Sequence, residues 1–197
     1  MGSSKGVKGL RGQSRMSSGK DSRKNVSSLK PLNPRTLSAS GGLGSSNYRS
    51  YKKYISRSPE ETKEIGFTLG KMLKPGDVVG LYGELGSGKT TLVKGMAKAL
   101  AIEERDIVSA SFTIIAEYNT TPPFYHIDLY RIEMDTELDE VGLWDHIGGE
   151  GISVIEWAEK AEEKLPEGMI KVRLNLINEN MREIIIEGEN EKDRNNQ

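Results

Sequence analysis

The stretch Gly83-Glu84-Leu85-Gly86-Ser87-Gly88-Lys89-Thr90 constrains this chain more than any other. It meets G-x-x-x-x-G-K-[ST] at every fixed position, and each fixed position has a physical reason. Glycines at 83, 86 and 88 permit positive φ and close backbone approach, so successive N–H groups can turn inward on a phosphate. Lys89 brings a mobile ammonium to the β- and γ-phosphates, and the Thr90 hydroxyl suits Mg²⁺. The flanks supply the context such a loop needs. Ahead of it, the turn Lys74-Pro75-Gly76 opens a short apolar strand, Asp77 to Tyr82. Behind it, Leu92, Val93, Met96, Ala97 and Leu100 recur at helical spacing. Strand, loop and helix in that order predict an α/β fold in which a helix N-terminus faces a bound anion.

Charge divides the chain in two. Residues 1–50 carry ten Lys and Arg against one acid, Asp21, a net of +9; the remaining 18 basic and 28 acidic residues give 51–197 a net of −10. An acidic body argues against a broad nucleic-acid footprint of its own, because phosphate contacts need clustered Lys and Arg. The chain has no cysteine. Disulfides, thiolate metal sites and Cys nucleophiles are therefore excluded, which suits a reducing cytoplasm. No apolar run approaches the ~18 residues of a membrane span.

Residues 1–50 are rich in Ser, Gly, Lys and Arg and poor in aromatic and β-branched residues. They are expected to be disordered, since they cannot bury enough apolar surface to offset their ordering entropy. Their origin has three readings: extraneous sequence ahead of a true start such as Met16, a basic Ser-rich transit peptide, or a basic arm for RNA. Glycine content and the lack of an amphipathic stretch favour the first. Myristoylation has no support, because Gly6 stands where the motif needs Ser or Thr.

Folded sequence is expected over 51–189. Ser58-Pro59-Glu60-Glu61 reads as an N-cap, a first-turn Pro and a capping box, and Ile65, Leu69 and Met72 mark one face of a helix ending near Lys74. Its place before the loop strand would put it near an adenine. Ser109-Ala110-Ser111-Phe112-Thr113 is a hydroxyl-rich run entering a strand at Ile114-Ile115-Ala116. Its hydroxyls can sense Mg²⁺ and γ-phosphate, or simply cap a turn. After the break at Thr120-Thr121-Pro122-Pro123, Phe124 to Arg131 alternates as a strand with Asp128 at or near its C-terminal end. Ligand chemistry sits at such ends in open α/β sheets. Asp128 can hold Mg²⁺ through water or orient an attacking water, or it can cap the next turn with His126 merely packed. Residues 133–147 read as a short acidic helix and loop, either a solvated face or a dock for a basic partner. Ile152 to Trp157 is an apolar run carrying Glu156, a second carboxylate expected at a strand end. Beyond the amphipathic Ala158–Lys164 segment, Ile170–Ile177 and Arg182–Glu187 read as a hairpin turning at Asn178–Met181, and 190–197 as a polar tail.

A phosphate loop does not by itself name a function. A guanine-specific GTPase needs an N-K-x-D-like base reader late in the chain, and none is present. A small-molecule kinase brings an Arg-rich lid, yet Arg131 is the only arginine between Asp106 and Lys171. That leaves an ATP hydrolase or an ATP-dependent switch acting on a protein partner, with a kinase as the alternative.

GELGSGKT, SASFT, HIDLYR and the pair Glu156-Trp157, in that order and near that spacing, resemble the bacterial TsaE (formerly YjeE) family over roughly Tyr54 to Glu187. The family reads S-P-T-[FY]-T where this chain has Ser109-Ala110-Ser111-Phe112-Thr113, so a rigid Pro is lost while Ser111 keeps a hydroxyl. The resemblance implies a P-loop three-layer sandwich with a central, mostly parallel sheet and an antiparallel C-terminal hairpin. It implies ATP contacts from Glu84 and Leu85 through Gly86, Ser87, Gly88, Lys89 and Thr90 to Thr91, with Gly86 to Thr90 on the phosphates. Mg²⁺ would be held by Thr90 and Glu156, Asp128 and Lys89 would serve hydrolysis, and Ser109, Ser111 and Thr113 would form the switch. The implied partners are TsaD and TsaB, with tRNA reached through their complex, and the implied role is a slow ATPase that resets that complex in making N6-threonylcarbamoyladenosine.

Overall fold

The computed structural model describes residues 50–107 and 113–188. The basic tail, the C-terminal tail, and Ser109, Ala110 and Ser111 of the hydroxyl-rich run lie outside the described residues. Seven strands form one sheet in the order β1-β7-β6-β2-β5-β4-β3. They are β1 (Ser50–Ser56), β2 (Val78–Tyr82), β3 (Ile115–Tyr118), β4 (Phe124–Asp128), β5 (Ile152–Glu156), β6 (Ile170–Leu176) and β7 (Arg182–Gly188). The four central strands β6, β2, β5 and β4 run parallel, and β1, β7 and β3 join antiparallel at the two edges.

Side-chain alternation along each strand divides the core into two layers. Val79 and Leu81, Phe124, Ile152 and Val154, Val172 and Leu174, and Ile184 face α1 (Pro59–Gly70) and α2 (Lys89–Ala99). Val78 and Tyr82, Ile127 and Ile155 face the other way, onto α3 (Asp135–Glu140) and the single turns Leu143–His146 and Ala158–Ala161. Helical cover on both faces is what a parallel centre needs, since its strands are buried on both sides. All five residues of β2 and all five of β5 are buried.

Helix α1 starts as its sequence requires. The Ser58 Oγ accepts the Glu61 N–H at 3.1 Å, and Pro59 occupies the first turn. It ends earlier than the apolar spacing suggested, at Gly70, which leaves Met72 40% exposed beyond it. Close packing against α2 explains its direction. A Cβ on Gly95 would lie 2.1 Å from the Lys63 carbonyl oxygen, and one on Gly66 would lie 2.2 Å from that of Leu92. Two glycines thus let the helix backbones touch, and α1 braces the helix that begins at the phosphate loop.

Strand β1 has no counterpart among the sequence expectations. Its run Ser-Tyr-Lys-Lys-Tyr-Ile-Ser lacks a clear apolar alternation, and it is a strand because β7 offers an open edge, with Tyr54 opposite Ile184. Lys52 and Lys53 on that edge blunt further pairing.

Candidate functional site

The loop between β2 and α2 has the backbone its glycines allow. Gly83, Gly86 and Gly88 take φ of 145°, 78° and 102°. At Gly83 the glycine is obligatory for space as well, since a Cβ there would sit 2.4 Å from the Leu174 carbonyl oxygen. Above Gly86 nothing lies within 4 Å of where a Cβ would be. The loop is therefore closed beneath and open above, and it borders a cleft of about 460 Å³. Leu85, Gly86, Gly88 and Lys89 line one wall with Thr90 and Thr91; Tyr130, Arg131, Glu156 and Trp157 line the other. Glu84 is exposed at the loop's outer edge. Ser87 is 1% exposed and turns its hydroxyl under the loop, without a hydrogen-bond partner and away from the open face.

Lys89 is buried and folded back on the loop. Its Nζ donates to the Gly83 carbonyl at 2.6 Å and the Glu84 carbonyl at 3.1 Å, and sits 3.7 Å from the centroid of the Trp157 ring. Burial pulls its pKa below the usual lysine range, against the opposing pull of Glu156, Glu159 and Asp128. Trp157 reaches the ammonium because its own backbone is left-handed, φ 60°. Such a conformation costs a bulky residue on the order of 1–3 kcal/mol, and here it folds the indole back over the cleft immediately after Glu156.

The two strand-end carboxylates come together. Asp128 and Glu156 close β4 and β5 and are register partners in the parallel ladder. Glu156 faces the cleft: its Oε2 accepts from the Thr90 hydroxyl at 3.0 Å, and its Oε1 lies 2.9 Å from His126 Nε2. Carboxylate oxygens accept, so His126 presents Nε2–H. His126 and Glu156 are both buried, with side chains 2% and 3% exposed. His126 is thus more than packing, because it fixes which way Glu156 points. The signal was in the alternation, which puts His126 and Asp128 on the same face of β4. Asp128 is buried beside this pair, and its Oδ1 accepts the Tyr130 N–H at 3.0 Å, the turn-capping bond weighed for it. Thr113 is exposed, and its hydroxyl donates to the Ile115 carbonyl at 2.9 Å, a local turn bond.

Thr90 and Glu156, bonded to each other at the cleft, are the side chains that could hold a divalent cation. Among the described residues no group of three or more His, Asp and Glu side chains forms a cage able to hold one unaided. Oxygen ligands from phosphate and water would have to complete the shell, the usual arrangement for Mg²⁺. Open backbone donors, a lysine within reach and one hydroxyl–carboxylate pair fit a Mg²⁺-bound polyphosphate.

The family model described as Threonylcarbamoyl adenosine biosynthesis protein TsaE matches residues 56–184. The chain is 42% identical to the tRNA threonylcarbamoyladenosine biosynthesis protein TsaE of Bacillus subtilis, over 67% of this chain and 82% of that one. The protein of the same name from Treponema pallidum is 37% identical over 67% and 97%, and that from Nostoc 43% over 63% and 78%. The crystal structure of Bacillus subtilis YdiB superposes with a TM-score of 0.59 at 34% identity, covering 77% of this chain and all of that one.

Proposed function

The chain belongs to the TsaE family of threonylcarbamoyladenosine biosynthesis proteins, and on that premise we propose that it is a Mg²⁺-dependent ATPase whose turnover resets a TsaD–TsaB complex. The observation that carries the ATPase reading is Thr90 bonded to Glu156 at 3.0 Å in the cleft beside an open, glycine-lined loop. When bound, Mg²⁺ neutralises charge on the β- and γ-phosphates. The protein's part is positioning. Loop N–H groups and the N-terminus of α2 hold the phosphates. Lys89 leaves the Gly83 and Glu84 carbonyls for the phosphate oxygens, exchanging two neutral acceptors for charged ones. Glu156, held by His126, keeps its orientation, and Asp128 beside it orients a water for attack. Trp157 and Tyr130, with ring centroids 5.1 Å apart, wall the cleft against further water.

Beyond these groups the described residues supply no second-substrate apparatus, which favours a switch acting on a partner over a kinase. The cytoplasm is the proposed setting; no helix among the described residues is long and apolar enough to cross a membrane. The test is Lys89→Ala assayed for ATP hydrolysis, with TsaD–TsaB affinity measured in ATP and in ADP. Hydrolysis should be lost while the fold survives. Partner affinity should differ between nucleotides by about 5–150-fold, the usual span of allosteric coupling. Unchanged turnover in Lys89→Ala would overturn the ATPase reading. Equal affinity in both nucleotides would overturn the switch, and a phosphorylated metabolite would establish a kinase.

A further inference from the structure

Two segments make the far wall of the cleft, and one lysine joins them. The first is the loop after β4, residues 129–132, which carries Tyr130 and Arg131; the second is Trp157 with the turn Ala158–Ala161 that follows it. Lys160 Nζ donates to the Tyr130 carbonyl at 2.5 Å and to the Ile132 carbonyl at 2.6 Å. Its own backbone N–H donates to the Trp157 carbonyl at 3.0 Å. Both loop carbonyls lie outside strand and helix, so no ladder supplies them a donor. An ammonium has three donors and no acceptor, and two carbonyls converging on one such group pin the chain that bears them.

The two ends of this tie differ in firmness. The turn is a fixed post. Ala158 and Ala161 are buried in the second core layer, and Glu162, one residue on, accepts from the Tyr82 hydroxyl and from Lys171 Nζ, which anchors it to β2 and β6. The loop is held more lightly. Its ends, Leu129 and Ile132, are buried, but Tyr130 and Arg131 between them are exposed. Tyr130 is gripped on both sides, its N–H by Asp128 Oδ1 at 3.0 Å and its C=O by the lysine. Whatever fixes this loop therefore fixes Asp128 as well, because the carboxylate is oriented by the N–H it accepts from. The same grip keeps the Tyr130 ring 5.1 Å from that of Trp157. Thr90 and Glu156 are held through other bonds, to each other and to His126, so the lysine governs one wall of the cleft and not the phosphate loop.

We propose that Lys160 is a positioning residue for hydrolysis, holding the 129–132 loop so that Asp128 and the Tyr130–Trp157 wall stay aligned with the phosphate end of the cleft. This rests on the ATPase reading above. It is tested with the full chain and its K160M and K160R variants, measuring kcat and KM for ATP and calorimetric affinity for ADP. Methionine keeps most of the stem and loses every donor. K160M should lose about tenfold to a hundredfold in kcat, the scale of a reacting group misplaced by about an ångström, with ADP affinity held within about threefold. K160R can still donate to both carbonyls and should keep kcat within about threefold of wild type. Amide exchange at Tyr130, which reads its bond to Asp128, should quicken about tenfold in K160M and stay slow in K160R. Equal losses of kcat and ADP affinity would make Lys160 a support of the whole pocket, and a K160R as slow as K160M would show that the two carbonyl bonds are not what matters; either overturns the proposal. Should K160M fail to fold, the native wild-type chain decides: Lys160 should react with acetic anhydride about tenfold more slowly than the exposed Lys98, read by peptide mass spectrometry, because its ammonium is engaged by two acceptors. Equal reactivity overturns the tie. A wild-type chain that does not hydrolyse ATP would overturn the ATPase reading itself, and this inference with it. Wild-type hydrolysis that K160M leaves intact overturns this inference alone.

Discussion

The bond between His126 and Glu156 can be weighed by a double-mutant cycle on stability. His126→Phe removes the donor while keeping a ring in the space, and Glu156→Leu removes the acceptor at similar volume. The Nε2–Oε1 distance is 2.9 Å, and the two side chains are 2% and 3% exposed, so water neither screens the bond nor replaces it. A hydrogen bond to a charged group contributes about 1.5–3 kcal/mol, and this one belongs near the top of that range. His126→Phe strands a buried carboxylate oxygen and should cost about 2–3 kcal/mol. Glu156→Leu strands the imidazole N–H, while the Thr90 hydroxyl, at the cleft, can turn to water; about 1–2 kcal/mol is expected. In the double variant neither group is stranded, so the costs should fall short of additivity by about 2 kcal/mol. Urea unfolding followed by circular dichroism reads this directly. With a slope of about 2 kcal/mol per molar, His126→Phe alone should lower the midpoint by about 1 M. Single costs that add within about 0.5 kcal/mol would refute the reasoning. His126 would then be packing and no more, and the orientation of Glu156 would need another cause.

Three further outcomes are expected. Glu156→Gln should weaken the Mg²⁺ dependence of nucleotide binding more than Asp128→Asn, while Asp128→Asn should bind ATP and Mg²⁺ nearly normally yet hydrolyse slowly; titrations against Mg²⁺ that reverse the pattern would exchange the two roles. Gly95→Ala gains about 1 kcal/mol of helix propensity but drives a methyl to 2.1 Å from the Lys63 carbonyl oxygen. A net loss of about 1–3 kcal/mol should follow, seen as a lower melting temperature, and a rise would show that α1 and α2 are not in backbone contact. His146 is pulled down by burial, but its Nε2 faces Glu117 at 2.9 Å and its Nδ1 faces the Gly142 carbonyl at 3.0 Å, and these acceptors carry its pKa above the ordinary 6.5. A raised folded pKa means this contribution is complete below pH 6.5 and is lost as pH rises through the folded value. Because the partner carboxylate of Glu117 is 60% exposed the effect should be small; a melting temperature of His146→Gln that falls just as steeply as wild type over that window would show the site is not its source.

Local chemistry was legible in the sequence wherever a residue type has one conformational use. The glycines of the phosphate loop, the Ser58-Pro59 start of α1, and the strands ending in Asp128 and Glu156 could be placed because positive φ, an N-cap and buried alternation each leave a pattern within a few residues. The family was legible for the same reason, through four short motifs in order. The tertiary structure alone decided what depends on neighbours far along the chain. Strand β1 exists because β7 has an edge to fill, and α1 stops at Gly70, short of Lys74, although its apolar spacing runs on to Met72. His126 is thirty residues from the carboxylate it holds, and Trp157 needs a left-handed turn to cover Lys89. Arg182, ninety-four positions beyond Gly88, reaches the loop only because β7 lies two strands from β2 in the sheet. No local pattern could have announced that contact, since strand order is set by the packing of the whole sheet and not by any one of its strands.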